Sequence, residues 1–283
     1  MQVYNSLHDI TPNHFTRVIA GSFYQLQKDC LMQLQTLLQQ DLGSWLFIDV
    51  YPRSTDRNPM VLLSARERML LLQQMGVRHY LTMDGVFFNQ KKEDLNTLIG
   101  QGNDINITYL CGLDGMKVQN LDFILDISPK EHALFNWTKT LGFVYLLSGK
   151  VVHGNQIGRT LGFPTTNVLP DSKNKIIPPM GVYTGWVKCS KGWYQAMINI
   201  GIRPTLDLNN VTIEAHIFDF DFDLYGQEIS LHFYRRIRNE MRFSSLQELK
   251  EQLQNDRLKS LEMLREAEII PDESHHILVS VHQ

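Results

Sequence analysis

Gly154-Asn-Gln-Ile-Gly158-Arg159-Thr160-Leu-Gly162-Phe163-Pro164-Thr165-Thr166-Asn167 sets three glycines and an arginine directly before a cluster of hard oxygen donors, just after the strand-like run Tyr145 to Val152. Glycines let backbone N–H groups close around phosphate oxygens, and an arginine neutralises them. Thr and Asn side chains offer the oxygen ligands that Mg²⁺ prefers over nitrogen or sulfur. Pro164 fixes its own φ and biases Phe163 towards extended geometry, which helps aim the donors that follow. The run suits nucleotide phosphates with a divalent cation, so it points to a nucleotide kinase without naming a substrate.

Downstream, Val182 to Cys189, Trp193 to Ile200, Val211 to Phe218 and Ile229 to Tyr234 read as further strands. Their spacing, with Gly, Pro and Asn between them, predicts a small closed antiparallel barrel. Along Val211 to Phe218 the period of two puts Val211, Ile213, Ala215 and Ile217 on one face and Thr212, Glu214 and His216 on the other. Glu214 therefore projects from the apolar face, where a carboxylate can accept the proton of an attacking hydroxyl. Ser245-Leu-Gln-Glu248 matches a capping box, and Leu246, Leu249, Leu253, Leu261 and Leu264 form an apolar stripe on a long helix that packs against the barrel. The tail from Ile269 to Gln283 carries no functional signal.

Upstream the pattern differs. Arg17 to Ala20, Trp45 to Tyr51, His79 to Met83 and Ile105 to Cys111 are short apolar runs, with helical periodicity between them as in Leu62 to Met75. This βαβ rhythm predicts a parallel sheet covered by helices. A length of 283 residues fits two domains, and the change of pattern places the boundary near Leu141-Gly142, giving units 1–142 and 143–283.

Composition excludes several classes. No stretch approaches the ~18 apolar residues needed to span a bilayer, and Met1 to Pro12 lacks a basic region followed by an apolar run, so a soluble, cytoplasmic protein is expected. Cys30, Cys111 and Cys189 are odd in number and form no CxxC pair, which argues for free thiols over disulfides or zinc. A net charge of −3 gives no electrostatic footprint for nucleic acid. The local cluster Arg235, Arg236, Arg238 and Arg242 is interrupted by apolar residues and reads as a strand-to-helix junction near phosphate or flavin. Other kinase devices are missing: Ser148-Gly149-Lys150 lacks the first glycine and the final Ser or Thr of a Walker motif, and no His-Arg-Asp or Asp-Phe-Gly set occurs. Asp219, Asp221 and Asp223 alternate like a calcium loop, but Leu224 and Ser230 stand where glycine and a bidentate glutamate are needed.

The run from Gly154 to Asn167 resembles the signature of riboflavin kinases, and the likeness continues in order. Gly181-Val-Tyr183, Asn199-Ile-Gly-Ile-Arg-Pro-Thr205, Thr212-Ile-Glu214-Ala-His216, Phe218 to Gly226 and Ile237-Arg-Asn-Glu-Met-Arg-Phe243 resemble that family's later blocks, over about Tyr145 to Leu264. The resemblance implies a six-stranded antiparallel β-barrel with a long C-terminal helix, and transfer of phosphate from ATP to riboflavin, giving FMN and ADP. It implies Glu214 as the catalytic base, Thr165 and Asn167 as Mg²⁺ ligands, and Gly158, Arg159, Thr160 and Gly162 around the nucleotide phosphates. Arg238, Glu240 and Phe243 fall in the block that closes over flavin. Thr166 stands where the family often has alanine, a small change.

In bacterial relatives this kinase is the C-terminal half of a bifunctional enzyme whose N-terminal half adenylylates FMN to FAD. The present first half resembles that Rossmann-like nucleotidyltransferase only at Gly21-Ser-Phe23 and from Leu62 to Val77. After Phe23, Tyr24 replaces the family's acid, Gln25 and Asp29 replace glycines, and Gln27 and Cys30 replace two histidines. Those imidazoles would stabilise charge on the transferring phosphate, and Gln and Cys cannot supply two imidazole donors. The expectation is a degenerate domain with FAD synthesis lost or severely impaired, kept as a scaffold, a surface for self-association or a vestigial nucleotide pocket. Two alternatives remain open: retained FAD synthesis, and a non-catalytic flavin-binding regulator.

Overall fold

The computed structural model describes residues 1–11, 15, 17–21, 28–39, 44–51, 63–91, 99, 106–109, 144–154, 157–202 and 211–267. The chain divides into two compact units, Met1–Ile124 and Leu125–Gln283. The boundary expected near Leu141 falls outside the described residues, as do the tail from 268 onward and the segments 22–27 and 110–143.

The first unit is a five-stranded parallel sheet. Its strands are β1 (Gln2–Tyr4), β2 (Arg17–Gly21), β3 (Trp45–Tyr51), β4 (His79–Asp84) and β5 (Asn106–Tyr109), in spatial order β1-β4-β3-β2-β5. Helices α1 (Lys28–Gln39), α2 (Ala65–Gln74) and α3 (Gly85–Lys91) accompany them. The apolar runs became strands because sheets covered by helices bury both faces: Val18, Ala20, Leu46, Ile48, Val50 and Leu81 form one core cluster. Strand β1 was not foreseen, since three residues are too few to show a period. Helix α2 begins at a full capping box, Ser64 accepting from the Glu67 N–H and Glu67 from the Ser64 N–H. Asp49 lies inside the apolar run of β3 and is fully buried. It accepts from Arg68 Nε at 2.9 Å and from the Tyr80 hydroxyl at 2.8 Å, the partners that make a buried carboxylate tolerable.

The second unit is a closed barrel in the order β10-β7-β6-β11-β8-β9, every pairing antiparallel. Its strands are β6 (Tyr145–Val152), β7 (Thr166–Pro170), β8 (Gly181–Cys189), β9 (Gly192–Ile202), β10 (Val211–Ile217) and β11 (Glu228–Arg238). One helical turn, α4 (Ile157–Thr160), and the long helix α5 (Leu246–Arg265) complete it. Strand β7 was hidden in the sequence because it starts inside the glycine run. Leu249, Leu253 and Leu261 of α5 pack on Val182, Met197 and Ile237, while Leu264 joins Trp186 and Tyr234. Leu246 departs from the expected stripe and is exposed. The expected capping box is half formed: Ser245 accepts from the Glu248 N–H, whereas the Glu248 carboxylate reaches one residue further back and accepts from Ser244 N and Oγ at 2.8 Å each. Among the described residues no helix is long and apolar enough to cross a membrane. Cys189 is a buried free thiol.

Candidate functional site

Strand β10 alternates as its sequence requires. Ile213, Ala215 and Ile217 are buried at 5% exposure or less, and Thr212, Glu214 and His216 are half-buried on the other face. Val211, expected on the apolar face, is exposed at the end of the strand. Register places Glu214 opposite Asn199 of β9 on one side and Asn167 of β7 on the other. Neighbouring strands are ~4.8 Å apart, so these three residues form a polar row across the barrel wall. Thr165, one residue before β7, donates its hydroxyl to Glu214 Oε2 at 3.1 Å.

The glycine run folds back on itself. The Gly158 carbonyl accepts from the Phe163 N–H at 2.8 Å and the Leu161 N–H at 3.1 Å, and Gly162 completes the turn at φ +83°. A Cβ on Gly158 would lie 2.2 Å from the Phe163 carbonyl oxygen, so only glycine permits this approach. His216 holds the next residues: its Nδ1 lies 2.8 Å from the Pro164 carbonyl oxygen. A carbonyl only accepts, so Nδ1 carries the proton. Burial lowers the His216 pKa although this hydrogen bond favours the charged form.

Two clefts meet at this wall. One, of about 270 Å³, is mainly apolar: Phe163, Val182, Met197, Phe243, Leu249 and Leu253 surround Glu214, with Gly158, Thr165, Asn199, His216, Arg238, Glu240 and Met241 completing it. The other, of about 490 Å³, is lined by Arg159, Thr165, Thr166, Asp221, Asp223, Tyr225 and neighbouring residues. Thr165 lines both. Of the residues expected from sequence, Gly158, Thr165, Glu214, Arg238, Glu240 and Phe243 gather on the first cleft and Arg159 on the second, while Thr160, Gly162 and the buried Asn167 line neither.

Two arginines of the cluster are engaged with the protein. Arg238 is bound to Asp256 of α5 and Arg236 donates to the Met180 carbonyl. For a divalent cation, Thr165 and Asn167 fit as a hard-oxygen pair beside the Glu214 carboxylate, few enough to leave room for phosphate oxygens and water, as Mg²⁺ prefers.

Sequence reasoning gave no role to Asn199, His216, Leu249 or Leu253. The alternation of β10 contained the signal for His216, since it shares the face of Glu214. Asn199 is legible only from the β9–β10 register, and the leucines read as packing alone. The altered block after Phe23 lies at residues 22–27, outside the described residues, while Asp29 and Cys30 fall within α1.

A family model described as "Flavokinase: Riboflavin kinase" matches residues 141–264. A bifunctional riboflavin kinase/FMN adenylyltransferase of Escherichia coli K12 is 42% identical over 199 residues, 68% of this chain and 62% of that one. That stretch is too long to fit between residue 141 and the C-terminus, so part of the first half aligns as well. A protein of the same description from Bacillus subtilis is 38% identical over 124 residues, 43% of this chain and 39% of that one. The chain thus matches less than two thirds of the length of these relatives. A solved structure described as a macrolide-efflux protein from Streptococcus pneumoniae shares the fold, with a TM-score of 0.66 over 92% of this chain and 98% of that one, at 22% identity. Residues 141–264, the barrel and all but the last residue of its helix, are thus a domain matched by the riboflavin kinase family model.

Proposed function

We propose that the protein transfers the γ-phosphoryl group of ATP to the 5′-hydroxyl of riboflavin, giving FMN and ADP. The observation that carries this reading is the hydrogen bond between Glu214, on the apolar cleft, and Thr165, which lines both that cleft and the arginine-bearing one. The apolar side suits a flat aromatic ring system with the ribityl chain extending towards Glu214. The Arg159 side suits a polyphosphate. The Glu214 carboxylate takes the hydroxyl proton as the substrate oxygen bonds to the γ-phosphorus and the bond to the ADP oxygen breaks. Arg159 offsets phosphate charge, and Thr165 and Asn167 would hold Mg²⁺. The cation, when bound, supplies further charge neutralisation at the phosphate oxygens.

The first unit is proposed to have lost FMN adenylylation, on the strength of Gln27 and Cys30 in place of the two histidines that serve charge stabilisation in the resembled domain, within a block altered also at Tyr24, Gln25 and Asp29. Incubation of purified protein with riboflavin, ATP and Mg²⁺, followed by chromatographic separation of the flavins, tests both statements. FMN without FAD supports them. FAD overturns the second, and unchanged riboflavin overturns the first in favour of a flavin-binding protein.

A further inference from the structure

The flavin-side wall is completed by residues 239–243, which belong to no strand or helix and contribute Glu240, Met241 and Phe243 to the apolar cleft. Glu240 reaches across to β9: a Cβ on Gly201 would stand 2.2 Å from its Oε1. With no ladder to hold it, the segment depends on its ends, and both ends are tied to α5. At the far end, Ser244 donates twice to Glu248. At the near end stands Arg238, the last residue of β11.

Arg238 Nε lies 2.8 Å and 3.1 Å from the two carboxylate oxygens of Asp256, and its Nη2 lies 2.8 Å from Oδ2. Gln252 Nε2 adds a fourth contact to Asp256 Oδ1 at 2.8 Å. Asp256 is 2% exposed. Burying such a pair is costly, and apolar side chains of similar volume often serve stability as well or better. What a fork-to-fork pair supplies is orientation. Held this way, the guanidinium directs Nη1 to the Asn239 carbonyl at 2.9 Å and stacks over the Phe243 ring, 5.7 Å from its centroid. One carboxylate on the helix thereby sets both the start of the segment and its principal aromatic side chain.

We propose that Asp256 is a positioning residue for flavin binding: through Arg238 it fixes Phe243 and the 239–243 segment over the apolar cleft, and so governs affinity for the ring system but not for the nucleotide. This rests on the riboflavin kinase reading. Asp256 touches no substrate; it acts through Arg238.

The test compares wild type with Asp256→Asn in the full chain, measuring KM for riboflavin and for ATP, kcat, and riboflavin binding without ATP by quenching of flavin fluorescence. Loss of charge from this hydrogen-bonded pair is expected to weaken riboflavin binding and raise its KM about tenfold, with the ATP KM changed less than about twofold. Unchanged riboflavin affinity, or equal rises in both KM values, overturns the proposal and leaves Asp256 a purely structural residue. Should Asp256→Asn fail to fold, Gln252→Leu decides: a rise of about threefold in riboflavin KM alone supports the proposal, and no change overturns it. The binding arm separates this inference from the kinase reading, because a wild type that binds riboflavin but makes no FMN sinks only the reading, whereas a wild type that binds none sinks both.

Discussion

Thr165 donates its hydroxyl to Glu214 across 3.1 Å, joining the residue that leads into β7 to the carboxylate at the centre of β10. The hydrogen bond holds the carboxylate at the junction of the two clefts. It also leaves the lone pairs of the Thr165 oxygen available on its other side. One contact thus couples a proton acceptor to an oxygen donor suited to a hard cation.

Glu214→Gln keeps the shape of the side chain and its hydrogen bond from Thr165 but removes the base. Turnover is expected to fall by about 10²- to 10⁴-fold with riboflavin binding retained, as read by FMN formation and flavin fluorescence. Near-normal turnover would remove Glu214 from the mechanism.

Gly158→Ala places a methyl group where the Phe163 carbonyl stands, so the turn must open. Overpacking of this kind costs about 1–3 kcal/mol. The displaced turn carries Arg159, and the ATP KM should rise more than the riboflavin KM in steady-state kinetics.

His216→Asn retains a donor near the Nδ1 position, whereas His216→Leu removes it and leaves the Pro164 carbonyl without this partner. The asparagine variant is expected to keep most activity. The leucine variant should lose about tenfold and need more Mg²⁺ for half-maximal rate, because the segment leading to Thr165 is no longer held. Equal loss in both variants would show that the ring, and not the Nδ1 proton, matters.

His232 lies at 2% exposure among strand residues, with burial first and the Lys188 charge second pushing its pKa down to about 3. Its Nε2 meets Ser230 Oγ at 2.9 Å. In the unfolded chain an imidazole takes up its proton near pH ~6.5, so below that pH the unfolded state binds more protons than the native state. Stability is therefore full above pH ~6.5 and falls by up to about 1.4 kcal/mol per pH unit as acid is added, until the native imidazole also titrates. Urea midpoints measured from pH 7 to pH 4 should show this slope, and a flat profile would contradict it.

In the first unit, Asp49→Ala leaves Arg68 buried at 5% exposure without its carboxylate. A loss of about 3–5 kcal/mol is expected for one partner of a buried pair. Thermal unfolding would show it as a large downward shift, and a shift of a degree or two would mean the site relaxes.

The β-barrel and the parallel sheet were legible because each is written in a local period: the two-residue alternation of β10 placed Glu214 and His216 on one face, and continuous apolar runs marked β2, β3 and β4. The glycine run announced phosphate chemistry through residue types alone, and the helix start at Ser245 was marked by its cap. What the chain does not write locally is which strands become neighbours. The row Asn167, Glu214, Asn199 exists only because β7 and β9 flank β10 in the closed barrel, a matter of register between strands that local periodicity does not fix. Neither Asp256 nor Asp49 drew a reading from the sequence. Each became intelligible only when tertiary packing withdrew it from water and set an arginine against it, since the cost of burying a charge is decided by partners that sequence distance conceals.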